Sequence, residues 1–180
     1  RSPVLFQNTL GGCESESICS LSEQLSDYVL RLACSFFIIR LLLHADIAVA
    51  SENAKFSLPF TSLGLVPEAG STFLLPRMIG HHRAAELFMT GDSFDASYAE
   101  EIGLINYVVA DPYEKAREIA LKIAKQPPTA IINTKALMKA NVHDAVAAVM
   151  RAEFEIFSLA LQSEEARNAF IQFLNRKRDK

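Results

Sequence analysis

The spacing of apolar residues changes several times along the chain, and each change marks an element. Beyond Asp111 the period is helical throughout. Ala116, Ile119, Ala120, Ile123 and Ala124 share one face of a helix that has Pro112 in its first turn and stops at Pro127-Pro128. A second helix is predicted from Thr129 to Ala140, a longer one from Asp144 to about Leu161, and a last one from Glu164 to Arg178. Upstream the runs are shorter. His44 to Ala50, with β-branched Ile47 and Val49, reads as a buried strand; Ser51-Glu52-Asn53 turns the chain, and Ala54 to Leu58 reads as a second strand, the two expected to pair. Ala84, Leu87 and Phe88 give a buried face to a helix over Arg83–Met89, preceded by His81-His82 as loop. Gly91 ends that helix, Asp95 caps a short one over Ala96–Ile102, and Gly103 leads into a strand over Leu104–Val109.

The first forty residues follow a different pattern. Arg1 to Glu23 is mostly polar and reads as loop; Ser22 is placed to cap a helix carrying Leu25, Val29 and Leu32. Phe36 to Leu43 is apolar and fits helix or strand. The most apolar region, Tyr28 to Val49, is interrupted by Arg31, Arg40, His44 and Asp46, so it falls short of the ~18 uninterrupted apolar residues that a membrane span requires.

Between these regions lies Phe56 to Gly80, FSLPFTSLGLVPEAGSTFLLPRMIG. Pro59, Gly64, Pro67 and Gly70 break any regular element, after which Ser71 and Thr72 offer hydroxyls to the free amides of a helix that runs to about Arg77 or Met78, with Gly80 as its stop. Glu68 is thereby set on a turn at the mouth of a helix. Two readings fit this spacing: a general base among apolar neighbours, or a solvated loop carboxylate where the helix dipole favours an anion.

Composition narrows the class. At 180 residues, half apolar and 22% charged, the chain can bury a core; its net charge of −3 gives no reason to expect a nucleic acid or an anionic membrane as partner. Cys13, Cys19 and Cys34 form no ligand pattern and are expected as small apolar or incidental residues, in a reducing, cytoplasmic setting.

His44-Ala45-Asp46-Ile47-Ala48-Val49-Ala50, Ala54-Lys55-Phe56, Leu63-Gly64-Leu65-Val66-Pro67-Glu68-Ala69-Gly70-Ser71, Arg83-Ala84-Ala85-Glu86-Leu87 to Thr90-Gly91, and Ala99 to Ile105 occur in that order. In this series the chain, from about Leu41 to its end, resembles the crotonase (enoyl-CoA hydratase/isomerase) superfamily. The resemblance implies an α/β fold: a partial crotonase-like core over 41–110, then a helical region over 111–180 that packs between subunits of a homotrimer or dimer of trimers. Residues 1–40 stay unassigned, and the chain reads as the C-terminal part of such a protein joined to an unrelated or altered segment.

The resemblance also implies a chemistry. Members of the superfamily hold the thioester oxygen of an acyl-CoA on two backbone amides and move a proton at the adjacent carbon with a carboxylate. Two glutamates serve the hydratases; carried over, their positions fall on Arg40 and Phe60. In the isomerase branch one glutamate in a turn like Pro67-Glu68-Ala69-Gly70 suffices, which makes Glu68 the expected proton carrier. Phe60, Leu65, Phe73 and Leu74 are expected to wall an apolar substrate pocket, and Arg176 and Lys177 of the basic tail either end a helix in solvent or reach a coenzyme A phosphate. The implied role is in fatty-acid metabolism by β-oxidation, with coenzyme A entering only as part of the substrate and no separate cofactor. The loop expected to supply oxyanion donors is glycine-rich in the family; here that place reads Ala33-Cys34-Ser35-Phe36-Phe37-Ile38-Ile39-Arg40, which predicts a defective oxyanion hole. Three outcomes follow: an enoyl-CoA isomerase, a hydratase, or a non-catalytic acyl-CoA-binding or subunit-interaction remnant.

Overall fold

A computed structural model describes residues 4–7 and 35–178. The chain forms two compact units, each made of two stretches: 1–56 with 94–140, and 57–93 with 141–180.

The first unit is built on a three-stranded sheet. Its central strand β2 (Ile47–Ala50) pairs antiparallel with β1 (Val4–Gln7), Leu5 opposite Val49, and parallel with β5 (Tyr107–Val108), Val49 opposite Tyr107. Ala48, Val49 and Ala50 are all buried, so the strand is covered on both faces and tolerates only small or β-branched side chains. Asn106 fixes the register: the Ala48 amide donates to its Oδ1 at 2.8 Å, and its own amide donates to the Ala48 carbonyl at 2.9 Å. Helix α1 (Ser35–Leu42) precedes β2, which settles the open reading of Phe36–Leu43 as helix. Strand β3 (Lys55–Ser57) pairs with β4 (Ser93–Asp95), with Phe56 and Phe94 stacked at 5.6 Å. Both predicted strands therefore exist, but each belongs to a different sheet rather than pairing with the other.

Three further differences from the sequence reading concern local bonding. Val4–Gln7, expected as loop, is a strand because β2 offers it an unpaired edge. The strand expected from Leu104 is only Tyr107–Val108, since the Leu104 and Ile105 amides turn back to the Ala99 carbonyl, at 2.9 and 3.3 Å, and finish helix α4 (Ala96–Glu101). The expected Ser22-capped helix and all three cysteines lie outside the described residues.

Asp95 caps α4 through the Tyr98 amide, and Asp111 caps α5 (Pro112–Ala124) through the Tyr113 and Glu114 amides, as their positions before each helix predict. Helix α5 lies against β1 and β2, and α6 (Pro128–Ala140) is tied down by a charge cluster. Asp46, just ahead of β2, accepts from Lys135 at 2.6 Å and from Lys139 at 3.1 Å, and Lys139 also reaches the His44 carbonyl. Burial pushes the Asp46 carboxyl up, but the hydrogen bonds and charges of the two lysines outweigh it and hold the pKa below the usual carboxylate value.

The second unit contains a 3-10 turn (Thr61–Leu63), α2 (Ser71–Ile79), α3 (His81–Thr90), α7 (His143–Leu161) and α8 (Glu164–Arg178). His81 and His82, expected as loop, form the first turn of α3, because Gly80 at φ 86° caps one helix and opens the next within one residue. Thr61 Oγ1 donates to the Phe88 carbonyl at 2.9 Å, tying the 3-10 turn to the end of α3. Gly64 sits at φ 67°, where a Cβ would lie 2.9 Å from the Ala166 amide nitrogen, so α8 approaches this turn backbone to backbone. Among the described residues no helix is long and apolar enough to cross a membrane.

Two outcomes follow. Asp46 has its folded pKa below its unfolded value of about 4, so its contribution is complete above that value and is lost as pH falls through the folded one. Asp46→Asn should lower stability by about 1–2 kcal/mol at pH 7, with the gap from the parent closing below about pH 4, read from urea midpoints across pH. Gly64→Ala should cost about 2 kcal/mol or more, since left-handed strain adds to the clash with Ala166, read from the melting temperature.

Candidate functional site

Glu68 lies in the second unit, half-buried, in the turn before α2. The turn closes through the Ser71 amide, which donates to the Glu68 carbonyl at 3.1 Å. The next two residues both take left-handed conformations, Ala69 at φ 61° and Gly70 at φ 73°. Glycine adopts this backbone freely, whereas alanine pays roughly 1–2 kcal/mol, so the surroundings must hold Ala69 there.

What holds the turn is a carboxylate from α7. Glu153 is only 6% exposed, and its Oε2 accepts from the Gly70 amide at 2.6 Å while its Oε1 accepts from the Thr72 amide at 2.9 Å and from the Thr72 hydroxyl at 2.5 Å. The expectation that Ser71 and Thr72 cap α2 is corrected here. A capping side chain must sit one residue ahead of the helix, and that residue is Gly70, which has none. From the first and second helical positions the hydroxyls do not reach their own amides: Thr72 donates to Glu153, and Ser71 Oγ, fully buried, finds no partner among the described residues.

The other predicted site residues are placed as follows. Phe60 and Leu65 are core residues of the second unit, Phe60 with no exposed surface. Phe73 and Leu74 are half-buried in the first turn of α2, and the Arg77 guanidinium lies 3.4 Å from the Phe73 ring centroid while donating to the Phe73 carbonyl. The turn thus brings Glu68 into one short segment with Phe73 and Leu74. Arg176 and Lys177 fall in the last turn of α8, with side chains outside the described residues.

The amides of Gly70, Ser71 and Thr72 are all engaged within the second unit, by Glu153 and by the Glu68 carbonyl. Phe36, Phe37 and Ile38, expected where the family has glycines, lie in the first turn of helix α1 of the first unit.

Sequence reasoning missed Glu153. Its signal was a charged residue in an apolar helical stripe, since Val146, Met150, Glu153 and Phe157 recur at helical spacing. A Cβ on Gly70 would meet Val146 Cγ1 at 3.1 Å and Met150 Cγ at 3.4 Å, so this stripe is the face of α7 laid on the turn. Also unforeseen is a groove of about 360 Å³ in the first unit, lined by Ile47, Ile123, Pro127, Ala130, Ile131 and Met138 with Asp46, Lys135 and Lys139; among the described side chains, no predicted site residue borders it.

With this geometry in place, comparison with known proteins is specific. Residues 39–180 match the profile of the enoyl-CoA hydratase/isomerase family. The 2,3-dehydroadipyl-CoA hydratase of Escherichia coli is 30% identical over 159 residues, 87% of this chain and 60% of that protein. The 1,2-epoxyphenylacetyl-CoA isomerase of the same organism is 42% identical over 89 residues, 48% of this chain and 34% of that one. Among solved structures, an enoyl-CoA hydratase/isomerase from Pseudoalteromonas atlantica superimposes with a TM-score of 0.74 at 34% identity, covering 77% of this chain and 56% of its own. Pseudomonas aeruginosa OdaA gives a TM-score of 0.72 at 40% identity, covering 75% and 56%. The chain thus spans at most about three fifths of each of these relatives.

Replacing Ala69 by glycine should release the left-handed strain and raise stability by about 0.5–1 kcal/mol after the added freedom of the unfolded chain is subtracted, read from denaturant midpoints.

Proposed function

Because the chain belongs to the enoyl-CoA hydratase/isomerase family, we propose that it acts on an enoyl-CoA thioester, moving the double bond by proton transfer through Glu68. The observation that carries this reading is the half-buried Glu68 on a hydrogen-bonded turn, with Phe73 and Leu74 in the first turn of the helix that follows. The carboxylate takes a proton from the carbon beside the thioester carbonyl, and the electron pair moves toward the carbonyl oxygen. The same proton returns to the far carbon of the allylic unit, so the double bond shifts and nothing is added or lost. No water is activated and no separate cofactor is required.

Hydration is the second reading, favoured by the hydratase names of several relatives. It lacks its catalytic groups here, since the two carried-over glutamate positions hold Arg40 in α1 and the fully buried Phe60. A guanidinium and a phenyl ring do no acid–base work on water at neutral pH.

Turnover is proposed to be weak. Phe36, Phe37 and Ile38 stand where glycines would let amides approach the thioester, and loss of one oxyanion donor typically costs around 10²–10³ in rate. The C-terminal helices are proposed as a subunit-contact region in a homotrimer or dimer of trimers. Leu137 and Met138 of α6 and Phe154 and Leu159 of α7, each at least two thirds exposed, support that reading.

The deciding assay follows absorbance or product formation with a 3-enoyl-CoA, comparing the parent with Glu68→Gln. Slow conversion by the parent and none by Glu68→Gln is expected. Equal rates would remove Glu68 from the reaction, water addition to a 2-enoyl-CoA would favour hydration, and no parent activity would leave a non-catalytic acyl-CoA-binding protein.

A further inference from the structure

Glu153 is the one carboxylate among the buried side chains of the described residues, and neither reading of the chemistry uses it. A buried carboxylate is expensive unless its oxygens are hydrogen-bonded, and both oxygens of Glu153 are, by three donors that all belong to Gly70 and Thr72. These donors flank Ser71, whose amide is bonded to the Glu68 carbonyl. The bonds therefore form a short relay: α7 holds Gly70 and Thr72, these fix Ser71, and Ser71 fixes the backbone of Glu68. The relay also explains a conformation that the sequence disfavours. Ala69 lies inside it at φ 61°, and a residue in the left-handed region persists only where its neighbours over-determine it. The N-cap of α2 carries no side chain, and Glu153 supplies an anionic cap to the helix start from α7.

From this geometry we infer that Glu153 is a positioning residue for the proton-transfer site, setting where the Glu68 carboxylate stands without touching substrate. The inference rests on the reading of Glu68 as proton carrier. A displacement of order 1 Å at a reacting group costs roughly 10²-fold in rate, and substrate binding through other residues is left alone. Loss of the clamp therefore lowers kcat and spares KM.

The test compares the parent, Glu153→Gln and Thr72→Val in the full chain. Glu153→Gln keeps the shape but replaces one acceptor oxygen by an NH2 that faces a donor; Thr72→Val removes one of the three bonds and keeps both backbone bonds. Two readouts are taken: kcat and KM with a 3-enoyl-CoA, and amide hydrogen exchange of a peptide covering 67–75. For Glu153→Gln the expectation is a kcat about 100-fold lower, KM within threefold, and exchange at least tenfold faster in that peptide with the peptides of α3 unchanged. Thr72→Val should show the same pattern at about threefold to tenfold. A Glu153→Gln kcat within twofold of the parent, or unchanged exchange in 67–75, overturns the inference; so does a loss in KM alone. If Glu153→Gln does not fold, Thr72→Val decides, and an unchanged kcat overturns it. If the parent shows no Glu68-dependent turnover, the proposed function fails by itself. The clamp is then judged by exchange alone, where slow exchange in Glu153→Gln overturns it.

Discussion

The second unit depends on one buried charge. Glu153 brings a carboxylate into the contact between α7 and α2, where it accepts from two backbone amides and a hydroxyl. Such a group is tolerated only when every oxygen is satisfied, and here the satisfying donors are the orphan amides of a helix start that has no cap of its own. Two groups that would each be unfavourable alone thus neutralise one another. The arrangement is unforgiving: removing either side leaves the other buried and unmet. It also couples distant stretches, since residue 153 bonds the backbone amides of residues 70 and 72.

The same logic of distant stretches meeting operates in the first unit. Strand β2 is buried on both faces and takes one neighbour from residues 4–7 and the other from residues 107–108. Asp46 at its head is matched to lysines some ninety positions later, in α6. In each unit a short central element is held by residues far from it along the chain. The C-terminal helices show the reverse: α6 buries no residue fully and leaves Leu137 and Met138 mostly in solvent.

The start of α2 could have bound an anionic oxygen of a ligand, as helix starts often do. Glu153 takes that place at the Gly70 and Thr72 amides.

The sequence by itself determined the family, most of the helices with several of their ends, and the turn that carries Glu68. These are local properties. Asp95 and Asp111 cap helices because they precede them, Gly80 and Gly91 end helices because they accept positive φ, and Pro67-Glu68-Ala69-Gly70 cannot continue a regular element. Pairing and burial were left to the tertiary structure. Nothing local says that Ile47–Ala50 and Lys55–Ser57 enter different sheets, or that polar-flanked Val4–Gln7 becomes a strand, because a strand's partner is chosen by an edge elsewhere in the chain. Nor does local spacing show that the hydroxyls of Ser71 and Thr72 fail to cap α2 while Glu153 succeeds. That outcome turns on a one-residue offset at the helix start and on a side chain more than eighty residues away, and hydrogen bonds across such a separation are set by packing rather than by period.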